Sequence, residues 1–198
     1  MKSIRRFLLS AFCLLLAAYC FGQTRPPQDA SHFVYQTSLS LGYGVGKHYI
    51  FSDTLTNENL SFEVQQILAY QFTNSFFTGM GAGLDFWFYD KEVSTFIPMF
   101  ANATVKFMNK KTAPFLFANF GYAFKWQTAQ KVDVPIFYGT KAGIYFQSGL
   151  GCNVKFSEKL SLLLSAYYKL QQSAIKYRGK VIEQQLFHFA GIKIGLLY

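Results

Sequence analysis

From Phe33 onward, hydrophobic residues recur at every second position in run after run, with polar residues or glycine between them. Side chains two apart in a strand share a face, so this spacing predicts strands with one apolar and one polar face. The last fifteen residues, Gln184 to Tyr198, show it well. Ala190, Ile192, Ile194, Leu196 and Tyr198 share one face, and Phe189, Gly191, Lys193, Gly195 and Leu197 share the other. A helix would set Lys193 beside Leu196 and Leu197 and leave no clean stripe.

Eight such segments are predicted, at 33–46, 60–72, 75–89, 96–108, 115–126, 139–156, 160–171 and 184–198. The second is imperfect, because Gln66 falls among Phe62, Val64, Leu68 and Tyr70; a bulge or an interfacial position is expected there. The connections after the second, fourth and sixth segments are short (Thr73-Asn74, 109–112 and 157–159). Those after the first, third, fifth and seventh are mostly longer, and 47–59 reads as a polar loop. Strands of this length, even in number and with alternating loop lengths, predict an all-β fold: an eight-stranded antiparallel up-and-down transmembrane β-barrel. The short turns and both termini are then expected on the periplasmic side.

Composition agrees with this. The chain is 51% hydrophobic and 19% aromatic, and its 15% charged share is well below the roughly 25% usual for soluble proteins. A barrel whose alternate residues face hydrocarbon accounts for both figures. The aromatics fall near strand ends: Phe33, Tyr35, Tyr70, Phe72, Phe76, Phe107, Phe156 and Tyr198 at one rim, Tyr43, Phe86, Phe88, Phe124, Trp126 and Tyr168 at the other. Two girdles are what the interfacial preference of aromatic rings predicts. A secreted carrier with the same strands turned inside out would present a glycine-rich, sparsely charged outer face, a poor solvated surface.

The N-terminus reads as a secretory signal peptide. A basic start with Lys2, Arg5 and Arg6 precedes an apolar run from Phe7 to Phe21, which is too short to span a bilayer as a helix. Cleavage is expected after Gly22, which divides the chain into a signal peptide (1–22), a periplasmic polar lead (23–32) and the barrel (33–198). Tyr19 argues against Cys20 as a lipoprotein anchor, because a small residue is needed there. Loss of three signal-peptide cations lowers the formal charge from +9 to +6. That modest excess fits basic loops and a basic lumen; no nucleic acid partner is expected. Cys152 is the one cysteine outside the signal, so no intramolecular disulfide is expected.

The closing strand with its terminal aromatic resembles those of bacterial outer-membrane barrels. So do Phe96-Ile97-Pro98, Ala113-Pro114-Phe115 and Phe120-Gly121-Tyr122. The layout as a whole is similar to the small eight-stranded OmpX and OmpA-transmembrane type. That resemblance implies outer-membrane lipids as surroundings and the barrel assembly machinery as a partner during biogenesis. It also implies that Ile192, Ile194, Leu196 and Tyr198 are the signal this machinery reads. Other envelope proteins are further candidate partners.

Candidate chemistry is sparse. A lumen polar network is expected from Glu63, Asp85, Asn102, Lys106, Asn119, Lys125, Lys141, Lys155, Lys169 and Lys193, because buried charges must be paired. An anion path through the excess of lysines is the alternative, opposed by the tight bore of eight strands. The Gly42/Gly44/Gly46 and Gly79/Gly81/Gly83 runs have strand spacing, not that of a phosphate loop, and are expected to make room for Trp87, Tyr145 and Tyr167. His32, His48 and His188 have no ligand spacing, so no metal and no cofactor are expected. Lipid deacylases on such barrels pair a lipid-facing histidine with a serine two residues on. Ala190 stands at that place after His188, so no catalytic residue is expected. Asn102-Ala103-Thr104 matches a glycosylation acceptor but lies mid-strand. Contact candidates in the loops are Tyr49, Phe51, Lys176, Tyr177 and Arg178. The function expected is that of a non-enzymatic structural or interaction component, or an accessory subunit of an envelope complex; a narrow channel is the alternative.

Overall fold

The computed structural model describes residues 33–50, 53–56, 59–89, 92–129, 143–157, 160–177 and 180–198. The signal peptide, the polar lead, Phe51, Lys141 and Arg178 lie outside them. The strands are β1 (Phe33–Gly44), β2 (Lys47–Ile50), β3 (Asp53–Thr56), β4 (Leu60–Gln71) and β5 (Phe76–Tyr89). They continue with β6 (Glu92–Lys106), β7 (Thr112–Ala129), β8 (Gly143–Lys155), β9 (Ser161–Tyr177) and β10 (Lys180–Leu197). Eight of them close into an antiparallel barrel in the order β1-β10-β9-β8-β7-β6-β5-β4. The seam pairs β1 with β10, from Gln36 opposite Leu197 to Gly44 opposite Phe189.

The period of two sorts the wall. On β10, Ile192, Ile194, Leu196 and Tyr198 face outward and are exposed, whereas Phe189, Lys193 and Leu197 are buried inside. The same alternation runs through β1 and β4. The aromatics of both expected girdles are exposed or half-buried on the outer wall. Outside the barrel stands an apolar skin with no covering layer among the described residues, which water would solvate poorly.

Three expectations from the sequence need correction. The stretch 47–59 carries a β-hairpin, β2 paired with β3, rather than only a loop. Several strands also outrun their apolar alternation: β6 begins at Glu92, β7 covers 112–129, β9 reaches Tyr177 and β10 starts at Lys180. Backbone pairing needs no particular side chain, so β6 with β7 and β9 with β10 stay paired where no alternation marks them. Finally, of the two alternatives for Gln66 the bulge is not found, and its exposed place beside the rim residue Tyr198 fits the interfacial one. The rungs Thr37–Gln66 and Gln66–Ala82 are regular, and the register shifts fall instead at Thr95/Phe96 and Val181/Glu183.

Inward glycines make room in the bore, as expected, for Tyr167 among the expected rings and for Phe100 and Phe117 besides. A Cβ on Gly81 would lie 2.5 Å from Phe100 Cε2 and 2.9 Å from Ile67 Cγ1. Gly149 leaves similar space for Phe117, and Gly42 for Tyr167. Gly81→Val should destabilise the barrel by about 1–3 kcal/mol, because the ring of Phe100 has to move within a filled interior. Denaturant unfolding in detergent micelles checks this, and Phe100→Ala in the same chain should restore part of the loss.

Candidate functional site

The described interior is built from inward residues of all eight barrel strands. At mid-height, the Gln65 amide on β4 donates to Glu63 Oε1 at 2.7 Å and to the Tyr145 hydroxyl on β8 at 2.7 Å. Tyr145 donates in turn to Glu63 Oε1 at 2.9 Å. The Lys193 ammonium on β10 donates to Gln65 Oε1 at 2.6 Å and to Gln147 Oε1. Asn102 on β6 donates to Asn119 on β7 at 2.7 Å, and Asn119 donates to Gln147 at 3.1 Å.

Nearer the long-loop end, Lys169 on β9 lies 2.7 Å from Asp85 Oδ2 on β5 and 3.6 Å from Glu63 Oε2. Ser61 and Trp87 also donate to Asp85, at 2.8 and 2.6 Å. In the barrel order β4 stands opposite β8, and β5 opposite β9. The Gln65–Tyr145 hydrogen bond and the Lys169–Asp85 ion pair therefore cross the whole diameter. Glu63, Asp85, Lys169 and Lys193 are the buried charged side chains among the described residues, so formal charges cancel. Balance and full hydrogen bonding are what a low-dielectric interior demands of buried ions.

Aromatic rings cover the network on both sides. Toward the long loops, Trp87 packs against Phe96, Phe189 and Phe187 with centroids 4.4, 4.8 and 5.1 Å apart, and Lys169 lies 4.8 Å from the Phe189 ring centre. Toward the short turns, Phe77, Phe115, Phe117, Leu163 and Leu197 are buried, and Lys193 lies 4.6 Å from the Phe117 ring centre.

Of the predicted network, the structure gathers Glu63, Asp85, Asn102, Asn119, Lys169 and Lys193. Lys106 and Lys125 are half-buried over the rings of Phe77 and Phe96, and Lys155 is exposed; the described contacts place neither Lys106 nor Lys155 in the network. Their strand faces point inward but they stand near strand ends, where an ammonium can reach water. Sequence reasoning missed Ser61, Gln65 and Gln147, which carry most of the bonding, although each occupies an inward position. It also missed the inward phenylalanines at 77, 96, 100, 115 and 117. Asn102 is buried within the network, so its amide is unavailable as a glycosylation acceptor in the folded barrel.

On the outer wall, Tyr198 lies at the seam. It exchanges backbone hydrogen bonds with Tyr35 at 2.7 and 2.9 Å, and their rings stack 6.0 Å apart. Its hydroxyl lies 3.2 Å from Thr37 Oγ1, accepts from Gln66 Nε2 at 3.4 Å, and Thr37 donates to Gln66 Oε1 at 2.6 Å. This trio explains how an outward glutamine is tolerated: its polar atoms bond across β10, β1 and β4. His188 pairs with the Tyr168 hydroxyl on the same outer wall. No cluster of metal-ligating side chains occurs among the described residues. Tyr49, Lys176 and Tyr177 lie in strands β2 and β9.

No protein-family model matches the sequence, and no curated protein is detectably similar to it. Solved structures do resemble the fold. Neisserial surface protein A superposes with a TM-score of 0.57 at 13% identity, covering 84% of this chain and 96% of that one. The outer membrane protein OprG from Pseudomonas aeruginosa gives 0.53 at 9% identity, covering 84% and 95%. The outer membrane enzyme PagL gives 0.52 at 12%, covering 81% and 97%. The fold is thus that of the small eight-stranded outer-membrane barrels, a fold that carries enzymes and non-enzymes alike.

Asp85→Ala should destabilise the folded barrel by about 3 kcal/mol, because it strips Lys169 of its nearest carboxylate, and adding Lys169→Met should recover part of that. Tyr198→Phe should cost about 0.5–1 kcal/mol through the lost hydroxyl contacts. Urea unfolding from lipid vesicles measures both.

Proposed function

We propose that this chain is a bacterial outer-membrane barrel with a closed bore, acting as a structural or interaction component of the envelope rather than as an enzyme or a pore. The observation that carries this reading is the set of bonds across the full diameter, with Lys169 on Asp85 and Gln65 on Tyr145. Eight strands leave a bore that side chains can fill, and here charged, amide and aromatic groups occupy it. A conducting path would need those contacts to part.

The outward apolar skin supports residence in lipid, and the fold's similarity to solved outer-membrane proteins supports the outer membrane. Both described chain ends, Phe33 and Tyr198, belong to the short-turn end, which we place in the periplasm, with the β2–β3 hairpin and the β9–β10 ribbon outside. Ile192, Ile194, Leu196 and Tyr198 are proposed as the signal read by the assembly machinery. A non-enzymatic role is supported by the outward histidine: His188 has Tyr168 as its partner, and Ala190 where a serine would be needed for acyl transfer.

Recording from planar lipid bilayers tests the closed bore: the folded protein should add no conductance steps above the lipid background. Steps that change on Lys193→Glu would establish the narrow channel instead. Isolation from membranes in mild detergent should bring down envelope proteins, and removal of the 174–183 hairpin tip should lose them.

A further inference from the structure

The short-turn end of the barrel concentrates lysine. Lys106 lies over the buried Phe77 ring at 5.3 Å, at the mouth of the lumen, and Lys155 is exposed at the end of β8. Lys110 and Lys111 are exposed in the turn between β6 and β7, and the Lys155 amide donates to the Lys111 carbonyl at 2.8 Å. That bond ties this turn to the end of β8. No aspartate or glutamate lies at this end among the described residues, and the described ion pairs all belong to Lys169. In sequence, Glu158 and Lys159 of the next turn offset each other. Beside the lysines, Phe107 and Phe156 are each 63% exposed, and Met108 and Leu160 are exposed as well.

We propose that Lys110, Lys111 and Lys155 form a headgroup site for anionic phospholipid in the leaflet that meets the short-turn end. This rests on the membrane reading above. The chemistry is that of ammonium groups around a phosphodiester, with the acyl chains against Phe107, Phe156 and the wall strands above them. Lysines beside a membrane surface draw anionic lipid by Coulomb attraction, and their stems can lie along apolar surface while the charge reaches the headgroups. An acidic polypeptide could satisfy the charges, but Phe107 and Phe156 belong to the rim girdle, which holds this end at the membrane surface and sets the lysines beside headgroups. The pairing of lysine with outward phenylalanine therefore favours lipid.

The test uses the full chain folded in a neutral detergent, with equimolar phosphatidylglycerol and phosphatidylcholine, and counts bound lipid by native mass spectrometry. Phosphatidylglycerol should be retained about tenfold over phosphatidylcholine, given the attraction of several lysines. The preference should disappear when Lys110→Gln, Lys111→Gln and Lys155→Gln are combined. It should fall partway in the Lys110→Gln/Lys111→Gln double variant, which alters only an exposed turn, and persist in Lys176→Gln/Lys180→Gln at the opposite end. Equal retention of the two lipids by the unaltered chain, or a preference indifferent to the three lysines, would overturn the site and leave the barrel reading standing. Lysine-dependent binding of polyglutamate without lipid preference would overturn it in favour of an acidic polypeptide. Failure to give a heat-modifiable folded band in detergent would overturn the membrane reading and the lipid site together.

Discussion

A strand edge in hydrocarbon has nothing to bond to, so the pairing of the first barrel strand with the last is the contact on which the structure depends. Once β1 and β10 pair antiparallel, the remaining features follow. The strand count has to be even for an all-antiparallel up-and-down ring, and both described ends come to one rim. Every residue is committed to lipid or lumen by its parity. Tyr198 strengthens the seam from the outside, tying its own strand to β1 and, through Gln66, to β4.

Closing only eight strands fixes a second consequence. The lumen is narrow enough for opposite walls to touch, so inward side chains must be chemically matched across the bore as well as to their neighbours. The interior meets that demand in layers: aromatic rings toward the long loops, an amide and ion-pair layer in the middle, and phenylalanine and leucine toward the short turns. Two carboxylates and two ammonium groups share the middle. The amides of Gln65, Gln147, Asn102 and Asn119 bridge gaps that the charges alone would leave. Glycine at 81 and 149 gives the rings of Phe100 and Phe117 their space.

Much of this was legible in the alternation, because lipid on one side and a tight lumen on the other impose opposite preferences at neighbouring positions. Strand identity, the even count, the outward direction of Ile192, Ile194 and Leu196, and the inward direction of Asp85 and Lys193 could all be read that way. The ribbons beyond the barrel could not, because β9 past Gln171 and β10 before Leu186 need only backbone pairing. Nor could the composition of the network. Parity says that Gln65, Lys155 and Phe117 all face inward, but depth along the axis decides which becomes a bonded partner, a solvated cation or a packed ring. Gln66 looked like a flaw in its strand for a related reason: its partners, Thr37 and Tyr198, are distant in sequence and adjacent only after closure.

The ion pair that spans the bore also constrains how the barrel can form. Asp85 and Lys169 sit on strands separated by more than eighty positions of chain, and neither hairpin can supply the other's partner. A half-built sheet entering lipid would carry these charges on an open concave face with hydrocarbon in place of the missing wall. Such an intermediate is too costly to persist, so insertion and curling of the sheet have to advance together. An assembly route that shelters the unfinished concave side from lipid until the last strand docks is the one this interior permits.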